Sequence, residues 1–149
     1  MTFKINLSPN FTVQECQRSD YADLFNINNA LPPECYKGAV LLAINVLEPI
    51  RAEFGAFTPL SWYRCPKVNK GIGGSDTSDH MKGIAVDMRI IGVPLIKLAT
   101  WISENLEFDQ VILEPNWVHA SFRQEGNRRE IKTRFIINKK IVYKPGFGL

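Results

Sequence analysis

The stretch Ser78-Asp79-His80-Met81-Lys82-Gly83-Ile84-Ala85-Val86-Asp87 joins a predicted loop to a predicted β-strand. Apolar and polar or small side chains alternate from Ile84 to Ile90, which is the period of a strand. The preceding segment, Lys67 to Lys82, is rich in Gly, Ser and Asp and predicts a loop. His80 is therefore expected at the end of a loop, and Asp87 within a strand.

The chain has only two histidines, and the second, His119, lies in a predicted strand from Trp117 to Phe122. Alternate side chains of a strand share one face, so Asp87 and His119 converge if their strands are neighbours. His80 would then arrive from the loop before Gly83, whose lack of a side chain would permit a close backbone approach to the site.

Two imidazoles and one carboxylate form a suitable ligand set for zinc and leave a fourth tetrahedral position for water. We therefore predict a zinc site formed by His80, Asp87 and His119. Such an ion lowers the pKa of its water toward ~7 and polarises a carbonyl. A lone histidine is more often a surface or core residue, and a lone aspartate can cap a turn, so the prediction depends on all three together.

Hydrolysis also needs a general base, and Glu114, five positions before His119 at the end of a predicted strand, is the candidate. Arg64 is the candidate for clamping a substrate carboxylate or stabilising negative charge on oxygen. Each has a structural alternative. Glu114 could be an exposed hairpin residue, and Arg64 could only pair with a neighbouring acid such as Asp76 or Asp79.

Ser78 and Trp117 are further candidates for substrate contact, although Trp117 could instead pack behind the metal site. The nearby glycines form no phosphate-binding pattern, because neither a strand-to-helix context nor a Gly-Lys-Ser/Thr sequence follows them. They are Gly71, Gly73 and Gly74.

The net charge of +3 is too small to indicate a nucleic-acid partner by itself. This charge is unevenly distributed: from Arg123 onward the chain has eight Lys or Arg residues and only two acidic residues, Glu125 and Glu130. This basic end could hold an anionic polymer such as a cell wall. Alternatively, its lysines protect the exposed edge of a terminal hairpin.

No apolar run approaches the roughly 20 residues that span a bilayer. The amino terminus lacks the apolar stretch of a secretory signal, which predicts synthesis in the cytoplasm. Three cysteines cannot all pair internally and have no metal-binding spacing, so we expect reduced structural thiols. They are Cys16, Cys35 and Cys65.

Other elements follow from caps, periodicity and turn residues. A capping box at Thr12 and Glu15 predicts a whole or broken helix to Phe25. A second helix, kinked at Pro49, is expected to end at Gly55. The remaining expectations are strands at Ala56–Tyr63 and Val111–Leu113, a helix from Pro94 to Leu106, and a hairpin of Glu130–Ile137 with Ile141–Tyr143.

At these residues the sequence resembles the zinc peptidases that include D-alanyl-D-alanine carboxypeptidases, phage L-alanyl-D-glutamate endolysins and the hedgehog signalling domain. The resemblance covers about Phe11 to Arg123 and is greatest to the small phage and prophage branch. The family's Ser-x-His-x-x-Gly-x-Ala-x-Asp motif is matched by Ser78, His80, Gly83, Ala85 and Asp87. Its Trp-Val-His motif is matched by Trp117, Val118 and His119. The upstream Tyr-Arg, followed by Asn and Gly-Gly, is matched by Tyr63, Arg64, Asn69, Gly73 and Gly74.

The resemblance implies cleavage of peptidoglycan stem peptides, by a carboxypeptidase or an endopeptidase, with one zinc ion. It implies an α+β fold with helices packed on a small central antiparallel sheet. We expect one peptidase domain over residues 1–149, with an extended segment at 1–10 and a basic hairpin and tail at 124–149. Two features depart from the family: Glu114 lies farther from the final histidine than the base of the carboxypeptidase and dipeptidase branches, and Trp62 replaces a small residue.

The hedgehog relative indicates a rival function, a zinc-bearing but catalytically silent binding module. A structural phage protein on the same fold is a third possibility. We expect a monomer that acts on the cell wall if it is released during phage lysis or from a prophage. Without a secretory signal, the protein would need a separate membrane-permeabilising protein to reach the cell wall.

Overall fold

The computed structural model describes residues 3–148. Residues 1, 2 and 149, which belong to the predicted terminal segments, lie outside this range. The helices are α1 Val13–Gln17, α2 Asp20–Leu24, α3 Tyr36–Leu42, α4 Glu48–Phe54, α5 Pro66–Gly71 and α6 Leu95–Asn105. The strands are β1 Ala85–Met88, β2 Gln110–Leu113, β3 Val118–Ser121, β4 Glu130–Ile137 and β5 Lys140–Pro145.

The amino-terminal region contains the predicted broken helix. Thr12 and Glu15 form the predicted capping box at the start of α1, and Ser19 caps α2. The segment before α1 is extended only in part, because Asn6 pairs with Thr12 and closes a turn over Leu7 to Asn10.

The second predicted helix is present but interrupted. A 3-10 turn, Pro33–Cys35, precedes α3, and a π-helical turn, Ala43–Leu47, separates α3 from α4. Pro49 lies in the first turn of α4, which directly follows this π-helical turn, so the irregularity lies where its missing backbone donor would interrupt a regular helix. The helix ends at Gly55, whose φ of 94° favours glycine.

The five strands form one sheet in the order β1-β3-β2-β4-β5. Three neighbouring pairs are antiparallel, and the β2–β4 pair is parallel. The α+β class is thus confirmed, but the sheet is mixed rather than wholly antiparallel. After β3 the chain returns to the start of β2, where Glu130 N–H bonds to the Asp109 carbonyl at 2.9 Å, so β4 runs in the same direction as β2.

The predicted terminal hairpin is confirmed as β4 and β5. Its two-residue turn, Asn138-Lys139, has φ values of 51° and 64°, as a type I′ turn requires. Helix α6 packs on the central strands β2 and β3, burying Leu98, Ala99 and Ile102. These side chains join a core that also contains residues of the second helix, β1 and β3.

Two predictions about the segment before β1 are wrong. Ala56–Tyr63 is not a strand, because only Ser61 pairs with β1, opposite Asp87. Later amides bond elsewhere: that of Tyr63 donates to the Cys16 carbonyl and that of Arg64 to the His80 carbonyl. The predicted loop from Lys67 to Lys82 instead contains most of α5 and a 3-10 turn, Asp79–Lys82.

Within residues 3–148, no helix combines the length and apolar character that a membrane crossing requires. The three cysteines are free thiols, and Cys16 is fully buried. Burial raises the pKa of the Cys16 thiol. This environment fits the expected structural role.

Candidate metal centre

Strand pairing places Asp87 opposite His119. The two are register partners between β1 and β3, with His119 Nδ1 3.0 Å from Asp87 Oδ1. On its other edge, the Asp87 backbone pairs with Ser61, donating to its carbonyl at 2.8 Å. The predicted convergence of Asp87 and His119 is therefore present, on backbone that is hydrogen-bonded on both sides.

His80 lies on the 3-10 turn before β1, and its ring orientation is determined by a backbone carbonyl. Its Nδ1 is 2.7 Å from the Trp62 carbonyl oxygen. Because a carbonyl can only accept, Nδ1 carries the proton and Nε2 has a free lone pair. Nε2 points at Asp87 Oδ2, 3.3 Å away. The nitrogen of His80 that is available to a metal ion is thus Nε2.

Gly83 ends this turn in the left-handed region with a φ of 75°. A Cβ there would approach Leu31, Ala39 and the Cys35 carbonyl to about 3.5 Å, so the glycine faces the helical layer. The expectation that Gly83 allows close approach to the metal site is therefore wrong. Its role is to turn the chain from His80 into β1.

One ligand atom from each of His80, Asp87 and His119 lies within 4.8 Å of the others, so the cluster could hold a metal ion. Burial lowers the pKa of His80, which favours its neutral, metal-binding form. Burial alone would raise the pKa of Asp87, but hydrogen bonds from its neighbours, including His119 and Arg64, outweigh it and lower that pKa. The donor types fit zinc.

Arg64 bonds directly to the candidate ligand set. Its Nη2 donates to Asp87 Oδ2 at 2.9 Å and its Nε to Ser61 Oγ at 3.0 Å. Arg64 therefore does pair with an acid, as its structural alternative held, but the acid is Asp87 rather than Asp76 or Asp79. Burial lowers the pKa of Arg64, and the neighbouring Asp87 opposes this change.

Glu114 follows β2, and its N–H donates to the Trp117 carbonyl at 3.0 Å. Its side chain is only 10% exposed, so the alternative of an exposed hairpin residue is wrong. Burial raises the pKa of Glu114; the charge of Arg134 opposes this increase, and that of Asp87 adds to it. A partly buried carboxylate with a raised pKa has the properties of a general base.

The other two predicted contacts also lie along this site. Ser78 caps the 3-10 turn by accepting from His80 N–H at 3.2 Å. Trp117 is partly buried. Both side chains line the same cleft as the metal cluster, so Trp117 faces the space beside the ligands.

The cleft has a volume of about 860 Å³. All the predicted site residues line it, together with six basic and three acidic side chains. The basic ones are Arg64, Lys82, Arg123, Arg128, Lys132 and Arg134, and the acidic ones are Asp79, Asp87 and Glu114. Such a balance favours anionic ligands.

The contribution of the terminal hairpin to this cleft was not predicted from the sequence. Lys132, Arg134, Ile141 and Tyr143 form one wall. Strand parity already places Lys132 and Arg134 on one face, but sequence alone did not indicate that β4 pairs with β2 beside the site.

Comparison with known proteins identifies the family. The sequence model of the peptidase M15 family matches residues 9–121, about three quarters of the chain. The chain belongs to the peptidase M15 family. This assignment confirms the resemblance seen in the motifs and supports a zinc metallopeptidase. A search of curated proteins gives no match.

The M15 match contains every predicted site residue, from Arg64 to His119, and ends at the last residue of β3. The hairpin of β4 and β5 lies beyond it. The part of the cleft wall formed by that hairpin is therefore outside the residues that the family model matches.

Proposed function

We propose that this chain is a zinc-dependent peptidase that cleaves peptidoglycan stem peptides. The observation that carries the proposal is the cluster of His80, Asp87 and His119 in the wall of one cleft with Glu114. Membership in the M15 family supports the peptidase chemistry. The cell-wall substrate follows from the resemblance to carboxypeptidases and endolysins.

His80 Nε2, His119 Nδ1 and an Asp87 oxygen would hold the zinc ion. When bound, zinc supplies Lewis acidity that polarises a carbonyl and acidifies water. Hydrogen bonding of His80 to Trp62 and strand pairing of Asp87 with His119 position the ligands before the metal arrives. Such positioning reduces the reorganisation that binding requires.

Glu114 would accept a proton from the attacking water and return it to the leaving amine. Its side chain is only 10% exposed, so solvent screens this carboxylate less than it screens a surface one. Arg64 would hold a substrate carboxylate with guanidinium donors beyond those used by Ser61 and Asp87. Ser78 and Trp117 would contact the substrate from the cleft wall.

We further propose a single, monomeric domain over residues 1–149 that reaches the wall after release in phage lysis or from a prophage. The rival is a zinc-bearing binding module without activity. The presence of Glu114 in the cleft of the metal cluster favours the enzyme.

The test is digestion of purified peptidoglycan by zinc-loaded protein, with mass spectrometry of the released fragments. Loss of a general base should lower the rate about 10²- to 10⁴-fold in Glu114→Ala. The matched control is Glu53→Ala, which removes an exposed glutamate from α4. Equal release by wild type and Glu114→Ala would remove Glu114 from the mechanism, and no release by wild type would favour the binding module.

Metal analysis tests the ligands independently of activity. His80→Ala should lose tightly bound zinc while its fold, measured by circular dichroism, remains. Undiminished zinc in this variant would contradict the ligand assignment.

A further inference from the structure

The cleft continues past the metal cluster onto a surface that the M15 match does not include. Lys132, Ile141 and Tyr143 of the terminal hairpin line this continuation. It therefore offers a place where this chain could recognise substrate with residues of its own.

The sheet register gives the separation between this surface and the metal cluster. Asp87 is opposite His119, His119 is opposite Ile112, and Ile112 is opposite Lys132. These four residues form one row across β1, β3, β2 and β4. Three strand spacings of 4.7–4.9 Å place Lys132 about 14 Å from Asp87 along the sheet, a span that an extended peptide covers with about four residues.

Lys132 is ion-paired but accessible. Its Nζ is 3.0 Å from Glu130 Oε1, and its side chain is 34% exposed. The Tyr143 ring lies beneath it, with the centroid 6.0 Å from Nζ. Glu130 also accepts a hydrogen bond from Gln110, so its charge is shared between two donors.

The acids that line the cleft do not neutralise Lys132. Asp79 is paired with Arg123, Asp87 with Arg64, and Glu114 with Arg134. The partner of Lys132 is Glu130, which is itself about one-third exposed. An incoming carboxylate can therefore reach the ammonium group without displacing a buried ion pair.

We propose that Lys132 is the anchor of a distal subsite that binds a carboxylate of the peptide about four residues from the scissile bond. The proposal rests on the peptidase function and specifies its substrate class: an acidic peptide longer than a dipeptide, as an endopeptidase would cleave. Tyr143 and Ile141 would contact the apolar parts of the same peptide.

The experiment compares two probes: a peptidoglycan stem peptide with free side carboxylates, and the same peptide with those carboxylates amidated. Their affinities are measured by calorimetry on the zinc-loaded Glu114→Gln variant, which retains an oxygen acceptor for Arg134. If the Glu114→Gln variant still cleaves the peptides, the ratio of kcat/KM for the two peptides reports the same discrimination.

A partly exposed ammonium–carboxylate contact should give about three- to tenfold preference for the acidic peptide. Lys132→Ala should abolish the preference, and Glu130→Gln, which frees the ammonium, should increase it. Lys144→Ala is the matched control, because Lys144 lies on the same hairpin opposite Thr133, on the other face. Lys144→Ala should retain the preference for the acidic peptide. Added salt should reduce that preference in every variant that shows it.

Three results would each overturn the proposal. They are equal affinity of the Glu114→Gln protein for the two peptides, full preference for the acidic peptide in Lys132→Ala, and no measurable binding of either peptide. Failure of the peptidase function has a different result. Peptidoglycan would then stay intact with wild-type protein, while the acidic-to-amidated affinity ratio would still report on Lys132.

Discussion

Arg134 Nη1 donates to Glu114 Oε2 at 3.2 Å, linking the candidate general base to a strand outside the family match. Both side chains are largely buried, with 20% and 10% of their surfaces exposed. Solvent therefore screens this pair less than a surface ion pair. The terminal hairpin is thus in a position to control the ionisation of Glu114.

The first prediction concerns Arg134→Gln. Burial raises the pKa of Glu114 and Arg134 opposes that rise, so removing the guanidinium should raise the pKa further. A general base acts when ionised, and the acidic limb of the kcat/KM profile should therefore move to higher pH. Peptidoglycan turnover measured across pH checks this expectation.

Lys144→Gln is the control for Arg134→Gln, because it removes one positive charge from the same hairpin without contact to Glu114. Its acidic limb should coincide with that of the wild type. An unchanged limb in Arg134→Gln would show that the ion pair does not govern the base.

The second prediction concerns Trp62, which contacts in two ways the 3-10 turn that carries His80, Asp79–Lys82 with its final Gly83, here called the metal-site turn. Its carbonyl orients His80, and its fully buried Nε1 donates to the Gly83 carbonyl at 2.8 Å. Trp62→Phe should destabilise the fold by about 2 kcal/mol, from a lost buried hydrogen bond and a small cavity. Zinc affinity should fall about tenfold because the orientation of His80 is loosened.

Denaturant unfolding and competitive zinc titration measure these two effects of Trp62→Phe. Trp101→Phe, in α6 and packed against Phe54, is the control and should leave zinc affinity unchanged. An equal loss of zinc affinity in both variants would indicate general loosening rather than the proposed contact.

Local sequence patterns predicted much of the candidate site. Asp87 and His119 could be placed on facing strand positions because side-chain direction in a strand has a period of two. The capping box at Thr12 and Glu15 and the Asn138-Lys139 turn were predictable for the same reason: a few adjacent residues determine their geometry.

The partners of charged groups were not predictable, because they are distant in sequence. Arg64 bonds to Asp87, 23 positions away, rather than to the nearer acids. Glu114 pairs with Arg134 only because β4 aligns parallel to β2. Ala56–Tyr63 has strand-forming residues, yet its later amides bond to other parts of the fold.

The third prediction concerns Asp109, whose side chain is fully buried between Arg123 and Arg128. Burial would raise the pKa of Asp109, but hydrogen bonds from Arg128 and the charge of Arg123 lower it to about 2. Since the folded-state pKa is below the unfolded value, the carboxylate stabilises the fold above about pH 4 and loses this contribution as pH falls toward 2.

Asp109→Asn should therefore be less stable than the wild type by about 2 kcal/mol at pH 7, with the difference shrinking below about pH 4. Urea unfolding at a series of pH values measures it. The control Asp20→Asn removes an exposed acid from α2 and should show little difference at any pH. A constant gap between Asp109→Asn and the wild type from pH 7 to pH 2 would contradict the assignment.

The fourth prediction concerns Arg123, which joins the metal-site turn to the rest of the fold. Its guanidinium lies 3.2 Å from Asp79, the residue before His80, and 3.1 Å from the buried Asp109. Arg123→Met keeps the aliphatic stem but removes both ion pairs, so the turn should become more mobile. Zinc affinity should fall about tenfold although no ligand is changed, as happens when groups that orient ligands are removed.

Lys82→Met provides the comparison for Arg123→Met, because Lys82 faces the same aspartate at 3.9 Å but is 62% exposed. A screened, flexible contact contributes little, so this variant should bind zinc as the wild type does. Competitive zinc titration of both variants, with Asp109→Asn included to isolate the other ion pair, assigns the effect. If Asp109→Asn loses as much zinc affinity as Arg123→Met, the pairing with Asp109 rather than with Asp79 positions His80.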